Sequence, residues 1–147
     1  MDYKKLTPRN VYDHEFEVPE LAELLTDVTE CTTQHRTTIA PRPKNKRFAK
    51  RYRLLDKDLK QLIFELTPFD FVEAKPNKGP LCKTPEHKDE IVFVFVLQKC
   101  LYNFDINEEE LVHVYIKITV VTNKGNQLRV IVISIHNSEK KYCYYFR

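Results

Sequence analysis

The chain has 147 residues, 42% of them hydrophobic and 31% charged, which suits one domain with a substantial core. Its net charge of +3 is mild, so any preference for acidic partners must come from how the charge is distributed. Gly79 and Gly125 are the only two glycines, which excludes a Gly-rich phosphate loop or a dinucleotide fingerprint, so nucleotide- and NAD-driven chemistry is not expected.

Residues 1 to 18 are polar and mixed, with Tyr3, Val11, Tyr12 and Phe16 as packing candidates. Met1 to Pro19 carries charges throughout and no apolar signal-peptide core, and no apolar run approaches the ~20 residues of a membrane helix. A cytoplasmic address is therefore expected. Cys31, Cys82, Cys100 and Cys143 are then expected as reduced thiols, with Cys100 and Cys143 as small core residues.

Pro19 suits a first helical turn, and Leu21, Leu24, Leu25 and Val28 fall on one helical face. Cys31 to Ala40, rich in threonine, reads as loop or short strand. From Arg42 to Arg53 the chain is basic, with Phe48 and Tyr52 interleaved at helical spacing and Pro41 and Pro43 marking an extended start. Leu55, Leu59, Leu62, Ile63 and Leu66 give the clearest amphipathic helix. Thr67-Pro68 reads as the cap and first position of a second, short helix through Ala74. Residues 76 to 89 read as a long loop.

From Ile91 the pattern becomes β. Ile91 to Leu97 suits a strand buried on both faces. Leu111 to Val121 alternates, with Val112, Val114, Ile116, Ile118 and Val120 on one side and His113, Tyr115, Lys117 and Thr119 on the other. Asn123 to Asn126 reads as a hairpin turn, Gln127 to Ile135 as the returning strand, Ser138 to Lys141 as a second turn, and Tyr142 to Phe146 as a last strand. The expected fold class is α+β, with N-terminal helices packed on a C-terminal antiparallel sheet.

Three groups of residues carry candidate chemistry. His113, Tyr115 and Lys117 would project side by side about 7 Å apart. They would offer a base, an acid and a cation for phosphoryl transfer on RNA, or else an ordinary solvated sheet face. The basic run holds Arg42, Lys44, Lys46, Arg47, Lys50, Arg51 and Arg53 with aromatic residues between, a footprint of nucleic-acid binding or of a solvated helix that meets an acidic protein. Cys31, His35, Cys82 and His87 supply two Cys and two His, but in an order unlike zinc fingers, so no metal or other cofactor is expected. A cysteine nucleophile paired with histidine stays open without a supporting signature.

The segments LKQLIFELTPFDFVEA (59–74), the strand ending in Leu97-Gln98, VYIKITV (114–120) and VIVISIH (130–136) resemble, over roughly residues 55–136, the MqsR-type toxins of bacterial toxin–antitoxin pairs. The resemblance implies a RelE-like ribonuclease core at 54–147 within a single domain, preceded by an extension at 1–53 that serves as RNA clamp, packing elaboration or antitoxin-binding region. Gln98 matches the family's glutamine, and Tyr115 the tyrosine of its VY-x-K motif. His136 falls where the family has a lysine. Glu73 stands in place of the lysine after the Asp-Phe pair, with Lys75 two residues on. The implied function is a metal-independent endoribonuclease that cleaves mRNA and is neutralised by an antitoxin protein. Lys75, Lys117 and His136 would supply cations or proton transfer, Tyr115 acid–base or stacking contact, and Gln98 orientation. The rival expectations are a non-catalytic nucleic-acid- or protein-binding module and an accessory protein of a phage or mobile element.

Overall fold

The computed structural model describes residues 2–77, 90–123 and 125–147. Among them are helices α1 (Val18–Thr33), α2 (Pro43–Arg51) and α3 (Asp56–Phe64), and strands β1 (Thr37–Ile39), β2 (Phe71–Pro76), β3 (Ile91–Asn103), β4 (Glu108–Thr122) and β5 (Leu128–Asn137). The class is α+β. The five strands form one sheet in the order β1-β5-β4-β3-β2. The pairs from β2 to β5 are antiparallel, but β1 lies parallel to β5, so the sheet is mixed rather than wholly antiparallel.

One sheet face is the main core. Leu21, Leu24, Leu25 and Val28 of α1, Phe48 of α2 and Leu59, Leu62 and Ile63 of α3 share a buried cluster with Phe93, Phe95, Val114, Ile116, Ile118, Val132 and Ile135. Tyr3, Val11 and Phe16 join it, whereas Tyr12 is exposed. The N-terminal residues therefore contribute directly to the same core as the sheet. Leu55 is exposed too, because it precedes α3, where its backbone N–H donates to Asp58 Oδ2 at 2.8 Å and closes the first turn.

Several expectations are corrected. α1 runs on through Cys31 to Thr33, leaving only Thr37–Ile39 as a strand. The short helix through Ala74 is a single 3-10 turn, Pro68–Asp70, held by Thr67 N–H donating to Asp70 Oδ2 at 2.9 Å. The chain then enters β2, because Phe71 and Ala74 bury on the core face once paired with β3. Pro76 ends β2, and the expected loop beyond it lies mostly outside the described residues. Tyr142 to Phe146 forms no strand, and Cys100 and Cys143 are exposed rather than core. The tail crosses the second sheet face, where Tyr142 and Tyr144 pack on Val72, Val94, Val96 and Tyr115.

One irregularity decides which way β5 points its last side chains. Lys117 pairs with Ser134 but Ile118 pairs with Val132, so Ile133 is an extra residue in β5. Such a bulge reverses the alternation beyond it. Val130 and Val132 face the core, and after the bulge Ile135 does so while Ser134 and His136 turn to the other face. Buried Asn45 of α2 holds the bulge. Its amide nitrogen donates to Ala40 O (2.9 Å) and Ile133 O (3.1 Å), and its oxygen accepts from Ile135 N–H (2.8 Å). Asn45→Ala leaves these buried groups without partners, and is expected to cost about 2–4 kcal/mol of unfolding free energy in urea titration.

Candidate functional site

The bulge brings together side chains far apart in sequence. On the sheet face opposite the helices, β4 presents His113, Tyr115 and Lys117, and β5 presents Ser134 and His136. Val114 and Ile116 are fully buried on the other side, as the alternation predicts. Tyr115 lies directly opposite His136, and Lys117 opposite Ser134. Arg42, Lys44, Tyr115, Lys117, Ser134, His136, Glu139 and Tyr142 line one open cleft of about 180 Å³. That is smaller than the roughly 300–1,000 Å³ of typical small-molecule pockets.

His136, Lys117 and Tyr115 are each displaced from their ordinary behaviour. His136 Nδ1 lies 2.8 Å from Asn137 O. A carbonyl only accepts, so Nδ1 carries the proton, and Nε2 of the neutral ring keeps its lone pair. Burial pushes the His136 pKa down, and the nearby Lys44 and Arg42 charges push the same way, against the Asn137 carbonyl and Glu139. The Lys117 ammonium is likewise lowered, first by burial and then by Arg42 and Lys75. The Tyr115 hydroxyl is pushed up to about 12, mostly by burial, with Tyr142 and Glu73 adding to it. The arrangement thus offers a neutral imidazole, a lysine less basic than usual, and a phenol that keeps its proton.

Cations and rings complete the site. Arg42 Nη1 donates to Ser134 Oγ at 3.1 Å. Lys44 Nζ pairs with Glu139 Oε1 at 2.5 Å. Lys75, on β2 rather than at a helix end, pairs with Glu73 at 3.0 Å and is near enough to Lys117 to depress its pKa. The Tyr115 and His136 rings stack at 5.3 Å and 23°. Gln98 stands further along the face, opposite His113, and its Nε2 donates to Tyr144 Oη at 3.3 Å rather than reaching into the cleft.

The basic run divides. Lys44, Arg47 and Arg51 line a second cleft with His136, Asn137, Ser138 and Glu139, so His136 stands between two cationic depressions. Arg51 also bonds Asp105 and Asn137. Lys50 and Arg53 line a different groove with Leu54, Leu55 and Phe104, where the Arg53 guanidinium lies 4.1 Å from the Phe104 ring centre. Lys46 is exposed on the same helix. Ser134, Glu139 and Tyr142 were not among the sequence candidates. Ser134 is hidden by the bulge, and Glu139 and Tyr142 by the course of the tail.

Among the described residues no group of three or more His, Cys, Asp or Glu side chains is placed to hold a metal. Cys31 is buried with Sγ 3.4 Å from Leu128 O, and Cys82 and His87 lie outside the described residues. No described helix is long and apolar enough to cross a membrane. Comparison of the chain with protein-family models, curated proteins and solved structures finds no match.

Proposed function

We propose that the chain is a toxin-type endoribonuclease with a RelE-like core, acting on mRNA in the cytoplasm and neutralised by an antitoxin protein. The observation that carries the catalytic part is the meeting of His136, Tyr115, Lys117 and Arg42 around one cleft. The antitoxin part rests on the sequence resemblance to MqsR-type toxins. In the proposed reaction His136 Nε2 takes the proton of a ribose 2′-hydroxyl, and the 2′-oxygen attacks the adjacent phosphorus. The bond from phosphorus to the 5′-oxygen breaks, and the Lys117 ammonium gives that oxygen its proton. A 2′,3′-cyclic phosphate and a free 5′-hydroxyl result. Arg42 and Lys75 offset the charge gathering on the phosphate, and Tyr115 donates a hydrogen bond to it. The chemistry consumes no water and calls on no metal.

The test is incubation of the purified chain with synthetic RNA in EDTA, with end-group analysis of the products. Fragments ending in cyclic phosphate are expected. An inert protein that also fails to arrest growth when expressed defeats the reading, and RNA binding without cleavage then points to the binding-module alternative. That alternative draws on the cations of α2 outside the cleft. Binding should also sort the basic run. Each phosphate contact to a single strand contributes about 0.7 to the slope of log K against log salt. Replacing Lys44 and Arg47 with alanine is expected to flatten that slope by about 1.4, and replacing Lys50 and Arg53 to leave it nearly unchanged. Equal effects from the two pairs would assign the RNA path to the whole helix rather than to the face beside His136.

A further inference from the structure

We infer that Tyr142, on the C-terminal tail, is a stacking platform for an unpaired nucleobase of single-stranded RNA beside the cleavage cleft; the inference rests on the ribonuclease reading and adds a base-binding subsite to it. The tail is anchored beyond Tyr142. Tyr145 N–H donates to Phe71 O at 2.9 Å, and Tyr145 Oη accepts from Phe16 N–H at 2.8 Å. Tyr144 Oη donates to Val96 O at 3.0 Å. Arg147 pairs with buried Asp70 at 3.1 Å and covers the Tyr144 ring at 4.5 Å. These contacts fix the course of a segment that has no strand ladder of its own, and so fix where Tyr142 stands.

Tyr142 extends an aromatic row. Its ring lies 5.4 Å from Tyr115 at 35°, and Tyr115 in turn stacks on His136. Tyr142 is half-buried, and Lys140 Nζ sits 5.1 Å from its ring centre. An ammonium over a tyrosine at an exposed site is held weakly and exchanges readily with another partner. Cations beside a row of rings make up the usual platform for single strands: the phosphates meet Arg42, Lys44 and Lys117 while a base stacks on the end ring. Lys140, displaced from the ring by a base, stays close enough to meet the next phosphate. A tyrosine loses little rotamer freedom when it provides such a surface, so a tail held by Arg147 and Tyr145 presents it pre-organised.

The probe is a short 2′-O-methyl RNA strand, which cannot be cleaved, alongside the same strand made abasic. Tyr142→Leu is expected to weaken binding of the base-bearing strand roughly 5- to 100-fold, and Tyr142→Phe to stay within about 2-fold of the parent. The abasic strand should bind parent and Tyr142→Leu alike, with the same salt slope, because no phosphate contact is lost. In the unmodified protein, the Tyr142 ring-proton signals should move upfield with the base-bearing strand and not with the abasic one, which needs no folded variant. Binding of the base-bearing strand that ignores Tyr142→Leu, or ring signals that do not move, overturns the platform while the cleavage reading stands. A parent that neither binds nor cleaves RNA overturns both.

Discussion

Replacing His136 with alanine is expected to lower RNA cleavage about 100- to 10,000-fold, the range that a positioned general base contributes. The ring stands at the end of β5, half-buried, so its removal should leave the fold intact. The pH profile gives the sharper check. A base must be unprotonated to act, so the rate falls as pH drops through its pKa. Burial, Lys44 and Arg42 lower that pKa in the folded protein, so the acid limb should lie below the usual histidine value near 6.5. Lys44→Ala removes a positive neighbour and should move the limb upward. Glu139→Gln removes a negative one and should move it downward. The same shift bears on stability. The unfolded chain takes up the His136 proton first as pH falls below 6.5, so His136 makes the folded state progressively less stable through that window. A profile unchanged in all three variants would assign the base elsewhere.

How far the sequence led depends on how local each signal was. α1, α3 and β4 announce themselves through periodicity, since each buries one face against the core within its own length, and β3 through an unbroken apolar run that buries both faces. β2 did not. Thr67-Pro68 is a sound helix start, and the 3-10 turn Pro68–Asp70 honours it, but the chain then pairs with β3, a partner about twenty residues on, and buries Phe71 and Ala74 there. β1 is three residues long and pairs in parallel with a strand about ninety residues later, which no local pattern encodes. The tail alternates like a strand because Tyr142 and Tyr144 face the sheet, yet its anchors are hydrogen bonds and an ion pair to Phe71, Val96 and Asp70.

The site was half legible for the same reason. Tyr115 and Lys117 follow directly from the alternation of β4. His136 was singled out by resemblance, but strict alternation from Val130 and Val132 would send it into the core. Only the extra residue Ile133, held by Asn45 from a different element, turns it to face Tyr115. The candidate residue His136 and the residue that aims it, Asn45, are thus ninety-one positions apart. The basic run read as one feature in sequence and divides in space, because α2 shows Lys44, Arg47 and Arg51 to the His136 side, while Lys50 and, past the helix end, Arg53 lie toward Phe104.

Tyr115→Phe should separate chemistry from packing. The hydroxyl is pushed up to about 12, so it keeps its proton across the whole working range and serves as a hydrogen-bond donor rather than as a base. The ring packs between His136 and Tyr142 and touches Val94 and Val96, and phenylalanine preserves all of that. The hydroxyl's hydrogen bond with Tyr142 is lost, and with it the contact proposed to the reacting phosphate. If the hydroxyl steadies charge that develops only as the 2′-oxygen attacks, kcat should fall about 100-fold or more while KM changes little. The acid limb set by His136 should stay where it is, because a proton donor that never titrates in this range leaves no mark on the profile. Thermal melting of the variant should match the parent within a few degrees. Cleavage by Tyr115→Phe at the parent's rate would reduce Tyr115 to a stacking surface and leave the phosphate to Arg42, Lys75 and Lys117.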